Sequence, residues 1–208
     1  MVTQAPAPSR DSAAMRRRIL DAVGRLILRD GLAAVGVNAL AREAGCDKVL
    51  VYRYFGDLGG VYAAFAERCD FWWSVEELTD GVDPARTSLA EALKIILRRH
   101  ARALRARPIT LAVLAAELAE RTPLIVALEE TREKRALELN AWVARNWAPP
   151  PALDLAAITT LIGVALNYLT VRARRIRVMG GVPIASDADW ERLFAAVDSL
   201  IDAALRPR

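Results

Sequence analysis

The chain has 208 residues, enough for one or two small domains with a sizeable core. It is 54% hydrophobic and 26% charged, which excludes general disorder. A net charge of +4 and a pI near 9.4 permit a nucleic-acid partner without requiring one.

In chain order, the N-terminus MVTQAPAPSR is polar and lacks an apolar run. Residues 1–10 are therefore expected to form a flexible arm, with no signal peptide. Asp11 or Ser12 can cap a first helix, whose buried stripe is Met15, Ile19, Ala22, Val23, Leu26 and Ile27, ending at Gly31. The arginines at 16–18 are either a solvated face or a phosphate-facing edge.

The stretch 37–55 reads VNALAREAGCDKVLVYRYF. Val37, Leu40, Ala41 and Ala44 share one helical face. Gly45 breaks that helix at a position suited to positive φ, and Asp47 can cap a second short helix. There Val51 and Phe55 turn inward, with Cys46 beside them. Two helices joined by a tight glycine turn make a helix-turn-helix, whose second helix can enter a DNA major groove. Lys48, Val49, Leu50, Tyr52 and Tyr54 lie largely on its other faces. A cation can meet phosphate or guanine, aliphatics can meet thymine methyls, and phenols can donate to phosphate. The alternative is that these residues complete a larger core. Residues 15–56 hold eight Lys or Arg against four acids, so the whole net charge can sit here.

The segments RRRILDAVGRLI and RDGLAAVGVNALAREAGCDKVLVYRYFGDL, from Arg16 to about Phe65, resemble the DNA-binding domain of tetracycline-repressor-like (TetR) transcriptional regulators. About a quarter of the chain carries the resemblance. It implies an all-α homodimer that binds double-stranded DNA at a near-palindromic operator and answers to a small-molecule effector. Three positions depart from the family pattern: Gly36 where a Ser or Thr is usual, Leu50 where a small polar residue is common, and Leu58 where a Lys is common. These departures suggest fewer polar anchors. The expected DNA-binding set is Gly36, Asn38, Arg42, Lys48, Val49, Leu50, Tyr52 and Tyr54, with Arg42 and Tyr54 directed at phosphates.

Gly56, Gly59 and Gly60 precede a helix expected to run through VYAAFAERCDFWWSVEEL. Glycines weaken a helix start, so a hinge is expected there. After the loop 79–87, a helix over about 87–107 carries Leu89, Leu93, Ile96 and His100 on one stripe. Its arginines Arg98, Arg99, Arg102, Arg105 and Arg107 are read as a solvated face. Further helices are expected over about 110–121, with Leu111, Leu114 and Leu118, and over about 123–146 with a charged surface. APPP at 148–151 is a stiff break.

The helix expected at 153–178 is apolar all round, so both its sides want a partner. Ile158, Ile162, Ala165 and Leu169 make one face. The last helix, about 187–205, carries Phe194, Val197, Leu200 and Ile201 on a broad stripe with Trp190 and Leu193. These faces are expected to build a four-helix homodimer interface; the alternative is that both helices are interior to a monomer.

Polar or aromatic groups at otherwise apolar positions are the ligand candidates: His100, Trp142, Asn167 and Tyr168, then Trp73, Tyr62 and Glu117. Each can instead be a satisfied core residue. The apolar excess suggests a hydrophobic or aromatic effector. One histidine and no phosphate-binding glycine motif argue against an enzyme. Cys46 and Cys69 with that histidine make no zinc pattern, and no cofactor or metal is expected. Reduced thiols fit a cytoplasmic protein, and no stretch of bilayer length lacks charges, so no membrane partner is expected. The expectation is an all-α regulator with an arm at 1–10, a three-helix helix-turn-helix domain at 11–60 and a helical ligand-binding and dimerisation domain at 61–208. A helical protein-interaction module without sequence-specific DNA binding is the alternative.

Overall fold

The computed structural model describes residues 10–68, 71–151 and 153–206. Residues 1–9 of the expected arm, and Cys69, lie outside them. Among the described residues the chain forms ten helices and one two-stranded hairpin, as the all-α expectation requires.

Helix α1 spans Arg10–Asp30, so it starts earlier than expected and takes Asp11 and Ser12 into its first turn. Its stripe is buried as read, with Ile19, Ala22 and Val23 fully so. After a 3-10 turn at Leu32–Ala34 come α2 (Val37–Ala44) and α3 (Lys48–Phe55). Gly45 ends α2 at φ 63°, and the Asp47 carboxylate accepts from Val49 N at 2.8 Å to start α3. Val51 is fully buried against α1 and α2.

Helix α4 is only Leu58–Ala66, and a separate short α5 occupies Val75–Thr79. The single helix expected over 61–78 breaks for a packing reason. Phe71, Trp72 and Trp73 are all buried, and three consecutive residues cannot share one helical face. The glycine hinge also reads differently. Asp57 caps α4 by accepting from Gly60 N at 2.8 Å. A Cβ on Gly60 would lie 1.9 Å from the Phe55 carbonyl oxygen, so this glycine allows a close junction between α3 and α4.

The larger part comprises α6 (Leu89–Arg105), α7 (Pro108–Ala116), α8 (Pro123–Asn146), α9 (Leu155–Ala173) and α10 (Asp187–Ala204). A capping box of Ser88 with Glu91 starts α6, and its Ser-x-x-Glu pattern is present in the sequence. The hairpin pairs Val178–Met179 with Val182–Pro183 inside what was expected to be helix and loop.

One apolar cluster runs from α1–α4 through the Phe71–Trp73 turn into α6, α7 and α8. A second joins Leu93, Leu97 and Ala101 of α6 to Leu166 of α9 and Trp190, Phe194 and Ile201 of α10. The α6 arginines are not a solvated face. Arg98 and Arg102 pair with Glu191, Arg105 with Asp187 at 2.7 Å, and Arg98 also reaches Asp198 at 3.2 Å, sewing α6 to α10. Arg107 pairs instead with Glu77 of α5 at 2.6 Å, and Arg99 binds the Leu78 and Asp80 carbonyls.

Contrary to the sequence reading, α9 is long and apolar enough to cross a membrane by length and composition. In the fold one side of it packs on the second cluster through Ile162, Leu166 and Leu169.

Candidate functional site

Three surfaces carry the chemistry. The first is the outer side of α3. Lys48, Val49, Tyr52 and Arg53 are exposed there, Val49 by 62% and Tyr52 by 49%. Leu50 is half-buried on its flank, and Asn38 and Arg42 of α2 are exposed beside it, with Gly36 at the α2 cap. Tyr54 departs from expectation: it is half-buried against the core, so its ring serves packing before any phosphate. Arg53 was missed, although its position two residues before Phe55 on a helix this short already placed it opposite the buried face.

The cations of the first domain divide into two groups. Arg16 donates to the Tyr54 carbonyl and lies over the Phe55 ring at 4.5 Å. Arg18 donates to the Ala44 carbonyl at 2.6 Å. Both thus tie α1 to the C-terminal ends of α2 and α3, where carbonyls carry partial negative charge. Arg25 and Arg29 bind Glu43 at 2.7 and 2.8 Å and hold its carboxyl below the usual range. Arg17, Arg42, Lys48 and Arg53 remain exposed, with no ion pair among the described residues. Of the arginines at 16–18, therefore, only Arg17 makes no hydrogen bond to α2 or α3 among the described residues.

The second surface is a cavity of about 1460 Å³ among the α4–α5 turn, α6, α7, α8 and α9. His100, Asn167 and Tyr168 line it, as do Trp73 and Glu117. Trp142 does not; it stacks edge-on against Trp147, centroids 5.4 Å apart, outside the lining. Tyr62 is also elsewhere, donating its hydroxyl to the Val35 carbonyl at 2.9 Å in the core of the first domain.

His100 joins α6 to α9. With Asn167 presenting Oδ1, the imidazole donates from Nε2 at 2.8 Å. Burial pushes its pKa down to about 4, outweighing the bonds to Asn167 and the Gly163 backbone, so the ring is neutral at neutral pH. It stands edge-on to Trp72 and Trp73, at 6.2 and 5.7 Å between centroids. Trp72 was not singled out in the sequence, yet it also lines the cavity, under Arg132 at 5.6 Å. Arg132 lies 2.7 Å from Glu117, an ion-pair contact that leaves Glu117 Oε2 without hydrogen-bond alignment.

The third surface is the outer side of α9 and α10. Phe194 and Ile201 are only 2% and 1% exposed, held inside the monomer against α6, and cannot form an outer interface. Ile162, Leu169 and Val197 pack on the same cluster, and Ile158 is half-buried. Of the expected set only Ala165 and Leu200 face outward. The residues that do present an apolar surface are Leu161, 72% exposed, Val164, 59%, and Tyr168, 48%, with Leu200 at 60% on α10. The α9 segment was read as apolar all round, and only packing decided which side turned inward.

These surfaces sit in a chain with recognisable relatives. Residues 19–64 match the family model of the bacterial regulatory proteins, tetR family. An HTH-type transcriptional regulator of Mycobacterium tuberculosis, Rv1255c, is 39% identical over 51 residues, which cover 24% of this chain and 25% of that protein. The HTH-type transcriptional repressor SCO4008 of Streptomyces coelicolor is 33% identical over 60 residues, 29% of this chain and 31% of that one. The chain thus matches about a quarter to a third of the length of these relatives. Whole-chain likeness is one of fold. NalD, the secondary repressor of the MexAB-OprM multidrug efflux pump in Pseudomonas aeruginosa, superposes with TM-score 0.67 at 16% identity, over 95% of this chain and 100% of that one. The fatty acid degradation regulator FadR of Bacillus halodurans gives 0.64 at 20% identity, over 99% and 100%. Residues 19–64 thus carry the helix-turn-helix domain of the bacterial regulatory proteins, tetR family, and the chain as a whole shares the fold of these solved regulators.

Proposed function

We propose that this chain is a sequence-specific DNA-binding transcriptional regulator, acting as a homodimeric repressor that a small apolar effector releases from a near-palindromic operator. The observation that carries the reading is the outer side of α3, where Lys48 and Arg53 flank Val49 and Tyr52 in solvent. Cations beside aliphatic and phenolic groups suit phosphates, guanine edges and thymine methyls together. The kinship with SCO4008, a named repressor, supports the same role.

In this reading residues 11–60 read DNA and 61–208 bind effector and partner. Leu161 and Ala165 of α9, with Leu200 of α10, form the face that meets a second copy, while Val164 and Tyr168 stand in the cavity lining next to it. Pairing through α9 and α10 sets two α3 helices at successive major-groove faces. His100, Asn167 and Tyr168 belong to the effector cavity. Effector then releases DNA in proportion to its preference for the arrangement that fits the operator less well.

Selection of bound sequences from random DNA tests the proposal. An enriched inverted repeat is expected. No enrichment would return the chain to the alternative of a helical interaction module.

A further inference from the structure

Resting on the reading of the cavity as an effector site, we propose that the effector is a neutral, largely apolar molecule presenting hydrogen-bond acceptor oxygen to the indole N–H groups of Trp72 and Trp73. Both side chains line the cavity and are 5% and 4% exposed. An indole N–H is a donor only. Neither Nε1 has an acceptor among the described residues. A buried donor left unmade is costly, and a ligand oxygen removes that cost, whereas a donor or a cation does not. The two ring centroids are 5.6 Å apart, so both donors belong to one part of the cavity wall. The nitrogens themselves are covered, so reaching them takes a side-chain adjustment of the kind common on binding.

The remaining polar groups argue for a neutral body. His100 is engaged with Asn167, and Glu117 with Arg132. Glu129 pairs with Arg121 at 2.8 Å and Glu138 with Arg135 at 2.9 Å. A cation is left with Glu130, Glu133 and the helix-capping Asp154, which are exposed and well hydrated. An anion meets carboxylates that outnumber the lining cations Arg132 and Lys134. Leu93, Ile96, Leu97, Leu114, Val143 and Val171 supply apolar wall.

The test uses two probes, 2-acetylnaphthalene and 2-ethylnaphthalene, which share a ring system and differ in the carbonyl. Each is titrated into the full chain and into Trp72→Phe and Trp73→Phe, where the ring stays and the N–H goes. The first readout is the ratio of the two affinities. Removing a donor to the ketone should shift that ratio against the ketone by about threefold to tenfold. The second readout is the carbonyl stretch of the bound ketone, which should lie below its value in hydrocarbon solvent and rise in the variants. An unchanged ratio together with a hydrocarbon-like stretch overturns the proposal, including the case where internal water already satisfies the indoles. If a variant fails to fold, the stretch in the unsubstituted chain decides alone. If neither probe binds, the effector reading of the cavity falls, and this inference with it.

Discussion

Helices α3 and α9 both turn apolar side chains to solvent, but what stands beside those side chains differs. On α3, Val49 and Tyr52 are flanked by Lys48 and Arg53. On α9, Leu161, Val164, Ala165 and Tyr168 form a stripe without a charge. A mixed cationic and apolar surface suits a grooved polyanion. An uncharged stripe suits another apolar surface, and a second copy of the chain presents the same stripe across a two-fold axis. Exposure of hydrophobic side chains is therefore not one signal but two, told apart by neighbouring charge.

The largest expected effect breaks the α9 side of this comparison. Leu161→Glu combined with Leu200→Glu should convert dimers to monomers in sedimentation. It should weaken operator binding by about 100-fold or more, since two linked readers become single ones. A dimer that persists in this variant removes α9 from the interface.

The next effect asks what holds α9 in place. The His100 imidazole titrates near 4 in the fold against 6.5 for the unperturbed side chain. The unfolded chain thus takes up the proton first on acidification. Stability is whole above pH 6.5 and is lost as pH falls toward 4, by up to about 3 kcal/mol. Denaturant titrations from pH 7 to 4 on the chain and on His100→Gln should show the steeper loss only in the former.

Helix α3 is held differently, by its close junction with α4. Gly60→Ala should lower stability by about 1–3 kcal/mol through the clash with the Phe55 carbonyl. Thermal unfolding measures this, and an unshifted midpoint would show that the junction is slack. Smallest is the contribution of one cation. Lys48→Ala should make the salt dependence of operator binding shallower by about two in log–log slope per dimer. An unchanged slope removes Lys48 from the phosphates.

What the sequence disclosed follows the range of the interactions. The α2–α3 corner was legible because Gly45 and Asp47 act within a few residues of themselves. The break after α4 was not, because it depends on burying Phe71, Trp72 and Trp73 together in a core built by distant helices. The arginines of α6 looked solvated because their carboxylate partners on α10 lie 82 to 100 residues away. His100 and Asn167 were each noticed, but their pairing across 67 residues was not. The stripe of α10 was correctly read as apolar, yet its most buried members, Phe194 and Ile201, belong to the monomer core. Periodicity marks a buried face without saying what buries it.

Both operator-binding effects above depend on α3 facing DNA while α9 faces a second copy. Photo-crosslinking tests this most directly, with a benzophenone side chain placed at position 52 in one preparation and at 161 in another, each bound to the selected DNA. A protein–DNA adduct is expected from 52 and a protein–protein adduct from 161. A DNA adduct from 161, or none from 52, would contradict this arrangement.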